Sequence, residues 1–83
     1  MIVNVTQMDI EACDPMSTDN NCIAVALKRI KRRQDIKAYA YLGYVRVGKR
    51  QYNLDNWPCN RLIIHGTGHK IAPFEFELGE VGL

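Results

Sequence analysis

The chain has 83 residues, 47% of them hydrophobic and 24% charged, with a formal net charge of +2. That length holds one small domain, the apolar fraction is too high for a disordered segment, and no apolar run approaches the roughly 18 residues of a membrane span. A membrane protein, a collagen-like fibre and a large cofactor enzyme are excluded as expectations, and no motif calls for a cofactor.

Taken in order, Ile2, Val3 and Val5 form a short β-branched run that predicts a strand. Met1 to Ile10 has no base and no long apolar core, so no secretory signal is expected. Met8 to Met16 is acidic and contains Pro15, which predicts an extended or loop segment. Ser17, Thr18, Asp19 and Asn20 are all residues that cap helix N-termini. Ile23, Leu27 and Ile30 then recur at helical spacing with Ala26 beside them, one core-facing stripe of a helix ending near Arg33 or Gln34. Lys28, Arg29 and Arg32 lie on its opposite side, with Val25 among them.

Residues 36–47 predict one strand, with Ile36, Ala38, Ala40 and Leu42 on one face and a bulge at Gly43. Gly48-Lys49 fits a two-residue hairpin turn, and Arg50 to Leu54 is the return strand. Asp55 or Asn56 can cap a second helix that tolerates Pro58 in its first turn. It carries Trp57, Arg61, Ile64 and His65 and stops at Gly66 or Gly68, although Arg61 to Ile64 also suits a strand. In residues 71–78, Phe74, Phe76 and Leu78 alternate with Glu75 and Glu77, a final strand with one buried face. The last five residues are expected to be loose. The fold class is therefore α+β: a small single domain, an antiparallel or mixed sheet with two helices packed on one face.

Charge is segregated along the chain. Residues 1–27 hold Asp9, Glu11, Asp14 and Asp19 and no base; residues 28–70 hold all eleven bases against Asp35 and Asp55, a balance of +9; Glu75, Glu77 and Glu80 follow. Either one surface is basic and attracts an anion, or the acidic ends fold back and neutralise it. Cys13, Cys22 and Cys59 form no CxxC pair, so free thiols in a reducing cytoplasm are expected, acting as small buried hydrophobes. With His65 or His69 they are too scattered for a closed zinc site.

The Lys28 to Arg33 run is the strongest polar feature, and Lys37, Arg46, Lys49 and Arg50 can extend it through the hairpin. Clustered bases suit phosphates and neighbouring tyrosines suit stacking on nucleobases; the structural alternative is a solvated helix end. Gly66-Thr67-Gly68-His69-Lys70 can cradle an anion or simply end a helix, and it lacks the spacing of a nucleotide-binding phosphate loop. His65 and His69 belong to no metal-protease motif. A Cys59–His65 pair lacks an orienting group, so no enzymatic activity is expected. Tyr39, Tyr41, Tyr44, Tyr52 and Trp57, with the outward Val25, suit a subunit interface and favour a homo-oligomer, which also suits a chain that buries only about 60% of its unfolded surface.

Cys22-Ile23-Ala24-Val25-Ala26-Leu27-Lys28-Arg29 resembles the C-(P)-I-A-x-A-L-(K/R)-R segment of small uncharacterised proteins of tailed bacteriophages. In that group the helix is followed by a hairpin, a Leu, a second helix ending in Gly and a PFxFxL strand, matched here by Leu54, Gly68 and Pro73 to Leu78. The likeness runs through residues 17–78, departing where Ile23 follows Cys22 directly and at Trp57-Pro58-Cys59. It implies a phage-type anti-defence protein in the host cytoplasm, an inhibitor of bacterial immunity that sequesters a nucleotide signal. The candidate ligand contacts are Arg29, Arg32, Arg33, Tyr39, Arg46, Lys49 and Arg50, with His69 and Lys70 behind them. The alternative readings are a nucleic-acid-binding accessory protein and a protein that occludes a host defence protein. No membrane partner is expected.

Overall fold

The computed structural model describes residues 1–79 and contains eight elements: β1 (Ile2–Val5), α1 (Gln7–Ala12), α2 (Cys22–Lys31), β2 (Ile36–Tyr39), β3 (Tyr44–Val47), β4 (Arg50–Asn53), α3 (Asn56–Gly66) and β5 (Phe74–Glu77). The strands form two antiparallel sheets, a β1–β5 pair and a β2–β3–β4 meander. The α+β class is as expected, but three helices serve two sheets where two helices on one sheet were anticipated.

The third helix is α1, which falls inside the segment expected to be extended. Thr6 accepts from the Asp9 N–H at 3.2 Å while Asp9 accepts from the Thr6 N–H at 2.9 Å. This reciprocal box satisfies two donors that a helix start leaves orphaned, and it carries a helix of only six residues. Pro15 lies beyond the end of that helix and does not obstruct it.

Helix α2 is the centre of the molecule. Ile23, Ala26 and Leu27 are buried and Ile30 is half-buried, as their spacing requires. It contacts both sheets, through β1 and β2. Its cap is Asn21, one residue beyond the expected cluster. The Asn21 Oδ1 accepts from the Ala24 N–H at 3.0 Å, and its Nδ2 donates to the Ala38 carbonyl of β2 at 2.8 Å. The helix ends at Lys31, two or three residues early, because Arg32 turns left-handed (φ 54°, ψ 43°). That turn sends the chain toward β2, where the Gly48 N–H donates to the Asp35 carbonyl at 2.9 Å.

Residues 36–47 are two strands, not one. Tyr39 opposes Tyr44, and Ala40 to Gly43 form the loop between them. Gly43 sits at φ +74°, and its N–H donates to the Tyr39 carbonyl at 2.9 Å, so it is a turn residue where a bulge was expected. Leu42, expected on the buried face, is consequently 66% exposed at the loop tip. The Gly48-Lys49 turn follows as expected, with Gly48 at φ +60° and Val47 opposite Arg50.

Asp55 stands at the N-cap of α3 but makes no capping bond with its side chain. Arg61 to Ile64 is helical, and Pro58 is buried in the first turn. Strand β5 turns Phe76 inward and Glu75 and Glu77 outward, as its alternation predicts. Val3, Val5, Phe76 and Leu78 join α2 and the inward residues of the meander in one core. Of the terminal residues expected to be loose, only Gly79 lies within the described part.

Candidate functional site: the open face of the meander

The basic residues fall into two physically different groups. Arg29 belongs to the scaffold. Its Nε and Nη2 donate to the two oxygens of Asp9 at 3.0 and 2.8 Å, and Nη2 also reaches the Asn4 carbonyl at 2.9 Å. Asp9 is only 3% exposed. Burial pushes its carboxyl upward, but the bonds from Arg29 and Thr6 outweigh that and hold it below the ordinary value. Arg33 is likewise committed, with its Nε 2.7 Å from Asp35 Oδ1 and a second bond from Nη2 to Oδ2. Gly48 packs against this pair, where an added Cβ would come within 3.2 Å of the Asp35 carboxylate.

The expected patch is also divided between the two faces of the meander. Lys37, Tyr39, Tyr44, Arg46, Gln51 and Asn53 point outward, as strand parity requires. Arg50 has the opposite parity, shared with the buried Ile36, Ala38, Val45 and Val47, and reaches solvent only at the hairpin end with Lys49. Arg32 is exposed at the end of α2. His69 and Lys70 are exposed in the loop after α3, where the His69 N–H closes the helix on the Ile64 carbonyl at 3.3 Å. No bond joins those two residues to the meander among the described residues. Gly66 and Gly68 therefore serve helix termination.

What the fold does bring together is a small aromatic and cationic surface. Tyr39 and Tyr44 are half-buried and tilted against each other, with ring centroids 4.8 Å apart. In the next row Lys37 stands directly opposite Arg46. Like charges in that position repel, and the structure relieves them only in part. Lys37 Nζ lies 3.4 Å from Asp19 Oδ1, while Arg46 has only the neutral Gln51 amide at 3.2 Å. The acidic N-terminal segment thus folds back onto Arg29 and Lys37 and leaves Arg46 without a carboxylate among the described residues. Lys37 was expected only as an extension of the basic patch through the hairpin, and Tyr44, Gln51 and Asn53 were not among the candidate ligand contacts. Lys37 and Tyr44 were visible as strand residues, but only the cross-strand register shows them beside Arg46 and Tyr39.

Elsewhere the chemistry is quiet. A groove of about 230 Å³ runs between the 15–21 loop, β2 and α3, lined by Met16, Thr18, Ala40, Tyr41, Leu62 and Ile63 among others, and it contains none of the basic residues. The imidazole of His65 approaches Cys13 (Nδ1 to Sγ 3.8 Å), not Cys59, whose thiol donates to the Leu54 carbonyl. Burial raises the Cys13 thiol and pushes Cys22 up to about 12, so neither is a ready thiolate. Among the described residues no three metal-ligating side chains converge, and no helix is long and apolar enough to cross a membrane. No family model, curated protein or solved structure matches the chain.

Proposed function

We propose that the protein is a non-enzymatic binder of nucleotide-type anions that holds base and phosphate on the open face of the meander. The observation that carries this reading is the juxtaposed Lys37–Arg46 row and Tyr39–Tyr44 pair. A phosphate between the two cations would cancel their repulsion through charge-assisted hydrogen bonds, and the tyrosines offer a ring face to the base. In the setting implied by the phage resemblance, the protein works in the host cytoplasm and sequesters a nucleotide signal of host immunity.

One observation favours a second reading. Lys37, Arg46, Gln51 and Asn53 are all exposed on one side of the sheet, whereas small-molecule sites enclose most of their ligand. A single-stranded nucleic acid would be held by the same contacts without enclosure.

The experiment is equilibrium binding of cyclic and linear nucleotides and of a fluorescent oligothymidylate, at low and raised salt, with Arg46→Glu as the control. Retention of one nucleotide, returned unaltered on denaturation and lost in Arg46→Glu, is the expected result. Binding of the oligonucleotide alone, falling steeply with salt, selects the second reading. Retention of neither overturns both and returns attention to a host protein as partner.

A further inference from the structure

The two edges of the meander are treated differently by the fold. At the β2 edge the Ala38 N–H donates to the Thr18 carbonyl at 3.0 Å, and the Ala38 carbonyl accepts from Asn21 Nδ2 at 2.8 Å. The 14–21 loop therefore occupies that edge at Ala38. The same bonds fix the pattern across the sheet. In an antiparallel ladder successive residues turn their peptide groups to alternate sides. Ala38 faces away from β3, so Lys37 and Tyr39 bond toward Arg46 and Tyr44. Val45 and Val47 then bond toward Tyr52 and Arg50, and Gln51 and Asn53 aim their N–H and C=O groups out of the sheet. Among the described residues no main-chain group pairs with either one. Strand β4 is short and begins with Arg50, but it has no proline, no bulge and, among the described residues, no covering segment to blunt its free edge.

We infer that a second copy of this chain pairs with β4 antiparallel, about a two-fold axis at Tyr52, to make a six-stranded sheet. Matching inward and outward faces permits only registers offset by an even number of residues. One of these places Gln51 opposite the partner's Asn53, so that the free peptide groups of both meet, with Tyr52 opposite the partner's Tyr52. The same register carries Lys49 opposite the partner's Asp55, twice by symmetry. Both side chains are exposed, and neither has an ion-pair partner among the described residues. The absence of a capping bond from Asp55 leaves its carboxylate available for this contact. Centring the pair on Gln51 instead would set Lys49 against the partner's Asn53 and lose the charge match. Because the 14–21 loop occupies the β2 edge at Ala38, strand addition at the meander stops at two copies and gives a closed dimer in place of a filament.

This pairing rests on the edge and not on the binding reading, but it deepens that reading. The outward row Lys37, Arg46, Gln51 continues into the partner's Asn53, the partner's Tyr44 and the partner's Tyr39. Two half-sites become one two-fold face, with cations of one copy aligned with the aromatic pair of the other.

The test is the mass of the full chain in solution without nucleotide, by native mass spectrometry and sedimentation. A dimer is expected. Gln51→Pro removes an outward N–H while sparing the β3–β4 bonds, and is expected to give a folded monomer by circular dichroism. Lys49→Glu and Asp55→Lys singly are expected to weaken the dimer about tenfold, and together to restore it. Arg46→Glu, which removes the anion face, is expected to leave the dimer intact, so failure of either idea is distinguishable from failure of the other. A wild-type monomer overturns the inference, as does a dimer indifferent to Gln51→Pro and to both charge reversals. A dimer broken instead by reversing Glu75 and Glu77 pairs β4 with the acidic β5 edge, and overturns the two-fold register.

Discussion

The end of α2 and the face of the meander are both basic, and they use their charge in opposite ways. On α2, Arg29 is locked in a forked contact with a buried carboxylate, and Arg33 beyond its end is paired with Asp35. On the meander, Arg46 meets only an amide among the described residues and faces another cation. Within the densest basic run, Arg29 and Arg33 are thus structural and Lys28 is held by the Asp19 carbonyl, while Lys31 and Arg32 have no ion pair among the described residues. What sets Arg46 apart is that it stands without a carboxylate beside a second cation and two tyrosines. Counting positive charge does not locate an anion site; asking which charges lack a carboxylate and share a face with other ligand-binding groups narrows it.

The sharpest way to break this contrast is Arg29→Leu. It leaves Asp9 buried and ionised without its partner, and should cost about 3 kcal/mol. For a domain of this size that lowers Tm by roughly 12–24 °C, read by calorimetry, while nucleotide binding of the folded fraction stays unchanged. The pH dependence sharpens it further. Asp9 sits below its ordinary value when folded, so its stabilisation is full above the unfolded carboxyl value of about 3.9 and disappears as pH falls through the lower folded value. The deficit of Arg29→Leu should therefore be widest near neutrality and shrink in acid, where Asp9 is protonated. A deficit independent of pH would mean that packing, not charge, explains the loss.

Asn21→Ala comes next. It removes a helix cap and leaves the buried Ala38 carbonyl unsatisfied, for an expected loss of about 2 kcal/mol in urea titration. On the meander the expected signs reverse. Tyr44→Ala should weaken nucleotide or oligonucleotide binding roughly tenfold, the loss of one stacking contact, with a stability change of about 1 kcal/mol or less. The smallest effect should be a gain: Arg32→Gly relieves a left-handed non-glycine residue and should add about 0.5–1 kcal/mol, seen as a small rise in Tm.

Much of the scaffold was legible because it is periodic. Ile23, Leu27 and Ile30 announce α2, and the alternation of Phe74 to Leu78 announces β5. What stayed hidden depends on single residues or distant partners. Helix α1 is too short for a stripe, and its signal is the Thr6-x-x-Asp9 box alone. The hairpin at residues 40–43 contains Ala, Tyr and Leu, none of them a turn former, so only Gly43 marks the reversal, and a glycine in a strand reads equally as a bulge. The site was half legible for a similar reason. Composition placed the bases and tyrosines in one stretch, but the capture of Arg29 by a carboxylate 20 residues away and the opposition of Lys37 and Arg46 are products of register.

The side chain of Asn21 joins a local event to a distant one. The same amide starts α2 and fastens the edge of β2, 17 residues further on. The cap bond to Ala24 is local, but only the docked meander fixes the amide that makes it, so the first turn of the helix should fray when the meander leaves. The Ala24 N–H, held by Asn21, and the Ala38 N–H, held by the neighbouring Thr18 carbonyl, should then exchange with solvent in one shared opening, as members of a single cooperative unit. Helix and sheet would melt together, with no partly folded state that keeps one and loses the other.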